Sequence, residues 1–490
     1  MNPMNEPQPT TRCWRIVRRA LFLLIGFITL AALVITEENW RGKRDWEKFK
    51  SEGEARGERF DLASFTPKPV PTEQNFYATP FLAPLLDYEI VNGEARWHDS
   101  NGVARAKSLG IVSGALMDVE KGNLTNAQKY LRASTNFPAR PQPQDPAGDI
   151  LFALQKFEPI MLELRAASER PAAVFSTHPD RDLSAQLTHF IVIKEIAQTA
   201  DLHALASLAA GNSADALADV RLIFGVGQVL KSEPTLIAHL VRIAILNVAL
   251  QPARHGLETH RWSDEQLQAL QSLFLSDDLL ADYGQVLRGE RAFGNAIMAQ
   301  YIAGNYGVMG AQNPGFKFLG WFSPRGLLYQ NQLAGNRLFE TYSAGLVDAT
   351  EHRVYPERCT TNAFEAALGR HTPYNIFTRM TFPAMQRIPI LFAYTQNKFD
   401  EAVVACALER YRLAHGKFPE NLEALAPQFI TKIPSDVIGG QPLRYRCTET
   451  NQFVLYSIGW NEKDDGGVSK IKGGREDRES GDWVWQAPAK

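Results

Sequence analysis

The longest purely apolar stretch of the chain is "LFLLIGFITLAALVIT". It carries no charge from Ala20 to Thr36 and no polar face at helical spacing. As a helix it spans about 25 Å, near the lower limit for crossing the hydrocarbon of a bilayer. Arg12, Arg15, Arg18 and Arg19 precede it, and "NWRGKRDWEKFKSEGEARGERFD" follows it. Residues 1–19 are therefore expected to be a cytoplasmic tail, residues 20–36 a single transmembrane anchor, and residues 37–60 a charged stalk helix. Trp40, Trp46 and Phe49 lie on that stalk. "LVITEEN" lacks the small-x-small site of a cleaved signal peptide, which favours a retained anchor. A short basic tail ahead of a long chain favours N-in, C-out, with the bulk in the periplasm and the helix in the inner membrane.

Beyond the stalk the pattern changes. "LASFTPKPVPTEQNFYATPFLAPLLDYE" opens a proline-rich region, residues 61–145, expected to be extended because proline removes donors and fixes φ. Its Phe76, Tyr77, Phe81, Leu82 and Leu85 are too apolar for a free linker, so the segment is expected to pack on the next domain. Residues 146–385 read as an irregular helical bundle. Leu187, Phe190, Ile191, Ile196, Leu202 and Leu205 recur near helical spacing, and Ser263 with Gln266 forms a capping-box signature. No second copy of any hairpin appears at a fixed period, which argues against a solenoid. Within this domain residues 304–345 form a glycine- and aromatic-rich stretch. It is read as a loop, and Phe316, Phe318, Trp321 and Phe322 as a candidate contact surface for a partner or membrane interface.

The last region, residues 386–490, begins with a long helix, "IPILFAYTQNKFDEAVVACALERYRLAHGKFP". The β-rich runs "LRYRC" and "FVLYSIG" follow, with "GDWVW" a candidate third strand. The expected fold class is thus mainly α: an N-terminal transmembrane helix, an irregular helical bundle, and a C-terminal α+β module with a long helix on a small antiparallel sheet. Several spaced positions of that module resemble the major pseudopilin of type II secretion. Tyr411, Gly416, Phe418 and Pro419 match its helix-ending turn. Pro434, Asp436 and Gly440-Gln441-Pro442 match its next turn, and Leu455 to Gly459 match its "L-Y-S-I-G" loop. The resemblance implies a Ca²⁺ site built from the carbonyl of Ile458, the side chain of Asn461 and that of Asp482, with Asp464 and Asp465 adding charge. Asn461 replaces a family aspartate, and "KIKGGREDRES" lengthens the loop. The long stretch of other sequence between anchor and module also departs from a filament protomer.

Composition narrows the function classes. The chain has 490 residues, 45% hydrophobic and 22% charged, with a formal net charge of −2. No basic field favours nucleic acid. The four cysteines, Cys13, Cys359, Cys406 and Cys447, show no zinc spacing. Outside the cytoplasm, Cys406 and Cys447 are the expected pair because both fall in one module. There is no HExxH, GxSxG or P-loop. The one polar cluster in an apolar helix is "LRGERAF", where Arg288, Glu290 and Arg291 are candidates for an anion-binding groove or an interhelical ion pair. These observations favour a membrane-anchored extracytoplasmic binding or assembly protein with a protein partner and no catalytic activity, its C-terminal module docking and stabilised by Ca²⁺. A component of a type II secretion or pilus-like system, and a hydrolase with a site assembled from dispersed residues, are the alternatives.

Overall fold

The computed structural model describes residues 11–91, 94–116, 123–176, 178, 183–305, 320–321, 323–448 and 452–485. The chain is mainly helical, with a long apolar N-terminal helix and small antiparallel sheets toward the C-terminus. Its long helices are α1 (Thr11–Ala55), α2 (Leu183–Ala209), α3 (Ser213–Gln228), α4 (Leu236–Glu258), α5 (Asp264–Leu275), α6 (Leu279–Ile302), α7 (Arg325–Thr341) and α8 (Ile388–His415). The chain divides into two compact units.

The smaller unit comprises Met1–Arg59, Ile297–Leu338 and Leu368–Phe382. Anchor and stalk are one continuous helix. No proline interrupts it, and its charged half is laced by i,i+4 pairs such as Lys43–Glu47, Lys48–Glu52 and Lys50–Glu54, each worth about 0.3 kcal/mol. α1 meets α7 at two glycines. A Cβ on Gly42 would lie 2.4 Å from the carbonyl oxygen of Gly326, and one on Gly326 would lie 2.1 Å from that of Glu38. Only glycine permits backbones this close. The backbone N–H of Gly326 donates to Asn39 Oδ1 at 2.8 Å, and Gln330 Nε2 donates to Asp45 at 2.9 Å. A small apolar core of Met298, Tyr301, Ile302, Leu328 and Phe377 completes the unit.

The larger unit comprises Phe60–Ala296, Phe339–Ala367 and Pro383–Lys490. Its proline-rich region is not simply extended. It forms short 3₁₀ turns, a hairpin of β1 (Tyr88–Val91) and β2 (Glu94–Trp97), and helices at Ser100–Ala106 and Leu124–Ala133. Local capping explains the difference: Asp61, Asn75, Asp99 and Asn123 each accept a backbone N–H at the start of a turn or helix. Phe76, Tyr77, Phe81, Leu82 and Leu85 are buried in one core with residues of α2, α3 and α4. Residues 325–341, expected as part of a loop, are the helix α7. Leu328, Leu333 and Leu338 are buried along it.

α8 is buried on every side from Ile388 to Glu409, and Gly416 ends it in the left-handed region, φ 76°. β3 (Val347–Asp348) and β4 (Arg353–Val354) pair as a short antiparallel ladder, and β5 (Arg444–Cys447), β6 (Phe453–Ser457) and β9 (Trp483–Val484) form an antiparallel sheet in the order β5-β6-β9. The insertion "KIKGGREDRES", read as a lengthened loop, folds into a hairpin of β7 (Ser469–Lys472) and β8 (Arg475–Gly481). The expected boundary between residues 385 and 386 has no counterpart in the packing. Phe399 of α8 lies 5.4 Å from Phe274 and 6.1 Å from Phe224, ring centroid to centroid, so the C-terminal region and the bundle share one core. The pairing expected of Cys406 and Cys447 does not form. Cys406 is buried in the middle of α8, Cys447 is exposed on β5, and both are free thiols.

Candidate functional site

A wide cleft lies within the larger unit, with a volume of about 1060 Å³. α2, α4, the first turns of α8, β8 and Trp485 supply its walls. One wall is apolar because α4 presents Leu240, Ile243, Ala244 and Val248 toward Leu391 of α8. The floor is polar. Lys398 is buried there, its Nζ donating to the carbonyl of Val484 at 2.8 Å and lying 3.0 Å from Glu401. Tyr394 donates to Glu476 at 2.7 Å, and the other oxygen of Glu476 accepts the backbone N–H of Val484 at 3.3 Å. Glu401 beneath this floor is pushed up to about 8, chiefly by burial, with Lys398 opposing the shift.

Beside Lys398, Trp485 is only 2% exposed, and among the described residues its indole Nε1–H has no hydrogen-bond acceptor. A buried donor without a partner costs about 1–3 kcal/mol unless something supplies an acceptor. At the rim stand Lys194, Arg254 and Arg478, all exposed. Arg254 pairs with Glu258 at 2.7 Å, and the Arg478 guanidinium covers the Tyr394 ring at 4.8 Å from its centroid. His255 also lines the cleft and is held below its ordinary value by burial, so it is neutral at pH 7. Cationic lining groups therefore outnumber carboxylates, and the Trp485 Nε1–H adds a buried donor. Nothing in the local sequence announces this site. Its residues come from four separated segments.

The predicted calcium residues take another arrangement. Asp482 is fully buried and accepts the backbone N–H groups of Asp465 at 3.1 Å, Gly467 at 2.6 Å and Val468 at 3.3 Å. Asp464 accepts from Tyr456 and from the N–H of Gly466, both at 3.0 Å, and Asn461 donates to Asp465 at 2.9 Å. The N–H of Ile458 is taken by Asp436 at 3.0 Å. The carboxylates are engaged by amides and hydroxyls of the loop itself, which leaves no convergent oxygen cage of the kind calcium needs. Among the described residues no three His, Cys, Asp or Glu side chains form a metal-holding group.

The "LRGERAF" cluster also comes apart. Glu290 accepts the backbone N–H of Leu236 at 2.8 Å and so caps α4. The Arg291 guanidinium lies over Phe60 at 4.4 Å, and exposed Arg288 donates to Gln285 at 3.3 Å. Gly289 between them lets α6 approach Pro234, whose carbonyl oxygen a Cβ would meet at 2.3 Å. Of the aromatic group, Trp321 is 69% exposed; Phe316, Phe318 and Phe322 lie outside the described residues. No family model, no curated protein and no solved structure matches the chain.

Proposed function

We propose that this chain is a membrane-anchored binding protein whose larger unit takes an amphiphilic anion into the cleft between α2, α4 and α8. The observation that carries this reading is the unpartnered Trp485 Nε1–H beside Lys398, at the foot of an apolar wall. The ligand's headgroup, a carboxylate or phosphate, would accept from Trp485 and meet the field of Lys194, Arg254 and Arg478. Its apolar body would lie along Leu240, Ile243 and Val248. The volume is at the upper end of small-molecule sites. The described lining favours binding over nucleophilic catalysis: it holds no serine or cysteine, and its Thr259 hydroxyl donates to the carbonyl of His255 at 2.7 Å. α1 supports the anchor, with the binding body outside the cytoplasm. A docking role for the run of α8, the Asp436 turn and β5–β6 rests on the sequence resemblance to a pseudopilin alone.

The test is titration of the full chain in zwitterionic nanodiscs with octanoate and with octanol, empty nanodiscs serving as the blank. Saturable binding of octanoate that exceeds that of octanol, and that falls about fivefold or more in Trp485→Phe and in Arg478→Ala, supports the proposal. Equal, unsaturable uptake of both compounds, unchanged by Ile243→Arg, would contradict it.

A further inference from the structure

The smaller unit holds a second arrangement that the cleft does not use. The uncharged run of α1 ends at Thr36, and within the next two turns two other segments of this unit are fixed against it. α7 crosses at Glu38–Gly42 through the Gly42–Gly326 contact. Tyr374 donates to Glu38 at 3.3 Å and receives Arg41 at 3.0 Å. At about 1.5 Å per residue these contacts lie about 3–9 Å beyond the end of the apolar run, within the interfacial layer that flanks the hydrocarbon.

Exposed apolar side chains lie within about six residues of these contacts along the chain. Trp321 is 69% exposed, Met380 56% and Ile376 44%. Trp40 on α1 is 61% exposed, with the Arg44 guanidinium 4.6 Å from its ring centroid. Charge points the same way. The segments 297–338 and 368–382 contain no aspartate or glutamate, yet include Arg325, Arg337, Arg370 and Arg379. Arg325 and Arg370 are exposed. Tryptophan is favoured at headgroup depth, and arginine near an anionic leaflet gains about fivefold in partition per residue.

We infer that this unit forms a collar that sits on the bilayer carrying Ala20–Thr36, with Trp321, Ile376 and Met380 in the headgroup layer and Arg325 and Arg370 on anionic lipid. The collar rests on the anchor reading, and the experiment separates the two. The full chain, with Cys13, Cys359 and Cys447 changed to serine, is labelled with an environment-sensitive dye at Ile28→Cys, Trp321→Cys, Met380→Cys or Leu162→Cys. It is placed in nanodiscs with or without phosphatidylglycerol, and quenching by spin-labelled lipid is read.

The collar predicts deep quenching at position 28, shallow quenching at 321 and 380, and none at 162. Arg325→Glu and Arg370→Glu should each shift the buried-to-free ratio of the 321 label by about fivefold in phosphatidylglycerol. Quenching at 28 with none at 321 and 380 overturns the collar and leaves the anchor. No quenching at 28 overturns the anchor and the collar with it. Protection of 321 and 380 from an aqueous quencher without lipid quenching would assign the face to a protein and also overturn the proposal.

Discussion

Lys398 and Glu401 stand one turn apart on α8, 3.0 Å from nitrogen to oxygen, with both side chains buried. The glutamate's second oxygen takes the amide of Asn397 at 2.8 Å. Removing the lysine leaves the buried, protonated Glu401 without its donor, so Lys398→Met should cost about 1–3 kcal/mol of stability. The double variant Lys398→Met/Glu401→Leu should recover part of that loss. Chemical denaturation of the three proteins checks the ordering. A double variant less stable than Lys398→Met alone would contradict the pairing.

His352 is held between two carboxylates, 3.7 Å from Asp278 and 3.5 Å from Asp400. Hydrogen bonding to Asp278 first, and to Asp400 next, raises it to about 10 from 6.5. A base raised on folding contributes its full stability below the unfolded value and loses it as pH rises through the folded one. The cost of His352→Gln should therefore be about 1–3 kcal/mol near pH 7 and should vanish above pH 10. Melting curves of both proteins between these limits provide the check, and a cost that grows with pH would contradict the assignment.

The Gly42–Gly326 crossing leaves no room for a methyl group. Gly326→Ala should cost about 1–3 kcal/mol and loosen α7 against α1, read as faster amide exchange over residues 37–46 and 325–332. Gly294, helical and with open space around its would-be Cβ, is the control. Gly294→Ala should be stabilising by about 0.5–1 kcal/mol. Equal effects at the two glycines would remove the close-approach argument.

Asp482 holds the 465–468 turn through the backbone amides of Asp465, Gly467 and Val468. Asp482→Asn should lower stability by about 1–3 kcal/mol. Adding calcium to the wild type, or chelating it, should leave the melting temperature unchanged. A calcium-dependent rise in the wild type would restore the metal reading.

The elements legible in the sequence were those with a local cause. The charge-free run of α1, the capping box at Ser263 and Gln266, and the apolar, β-rich run Phe453–Ser457 each act within a few residues of themselves. The glycine at position 416 announced the end of α8 in the same way. What the sequence concealed depends on partners far along the chain. Glu290 looked like one member of an ion cluster, but its actual partner is the amide of Leu236. The aspartates after Gly459 looked like ligands because nothing local shows that Asp482 returns through the β7–β8 hairpin to take their amides. The cleft was invisible for the same reason: Lys398, Glu476 and Trp485 meet only once the hairpin and the last strand fold back over α8.

The cleft is tested most directly by hydrogen–deuterium exchange on the full chain in zwitterionic nanodiscs, with and without octanoate. Binding as proposed slows exchange in two strips, residues 240–251 of α4 and 476–485 of the C-terminal segment, and the slowing disappears in Ile243→Arg. Slowing confined to other segments, or the same slowing in Ile243→Arg, would contradict the account.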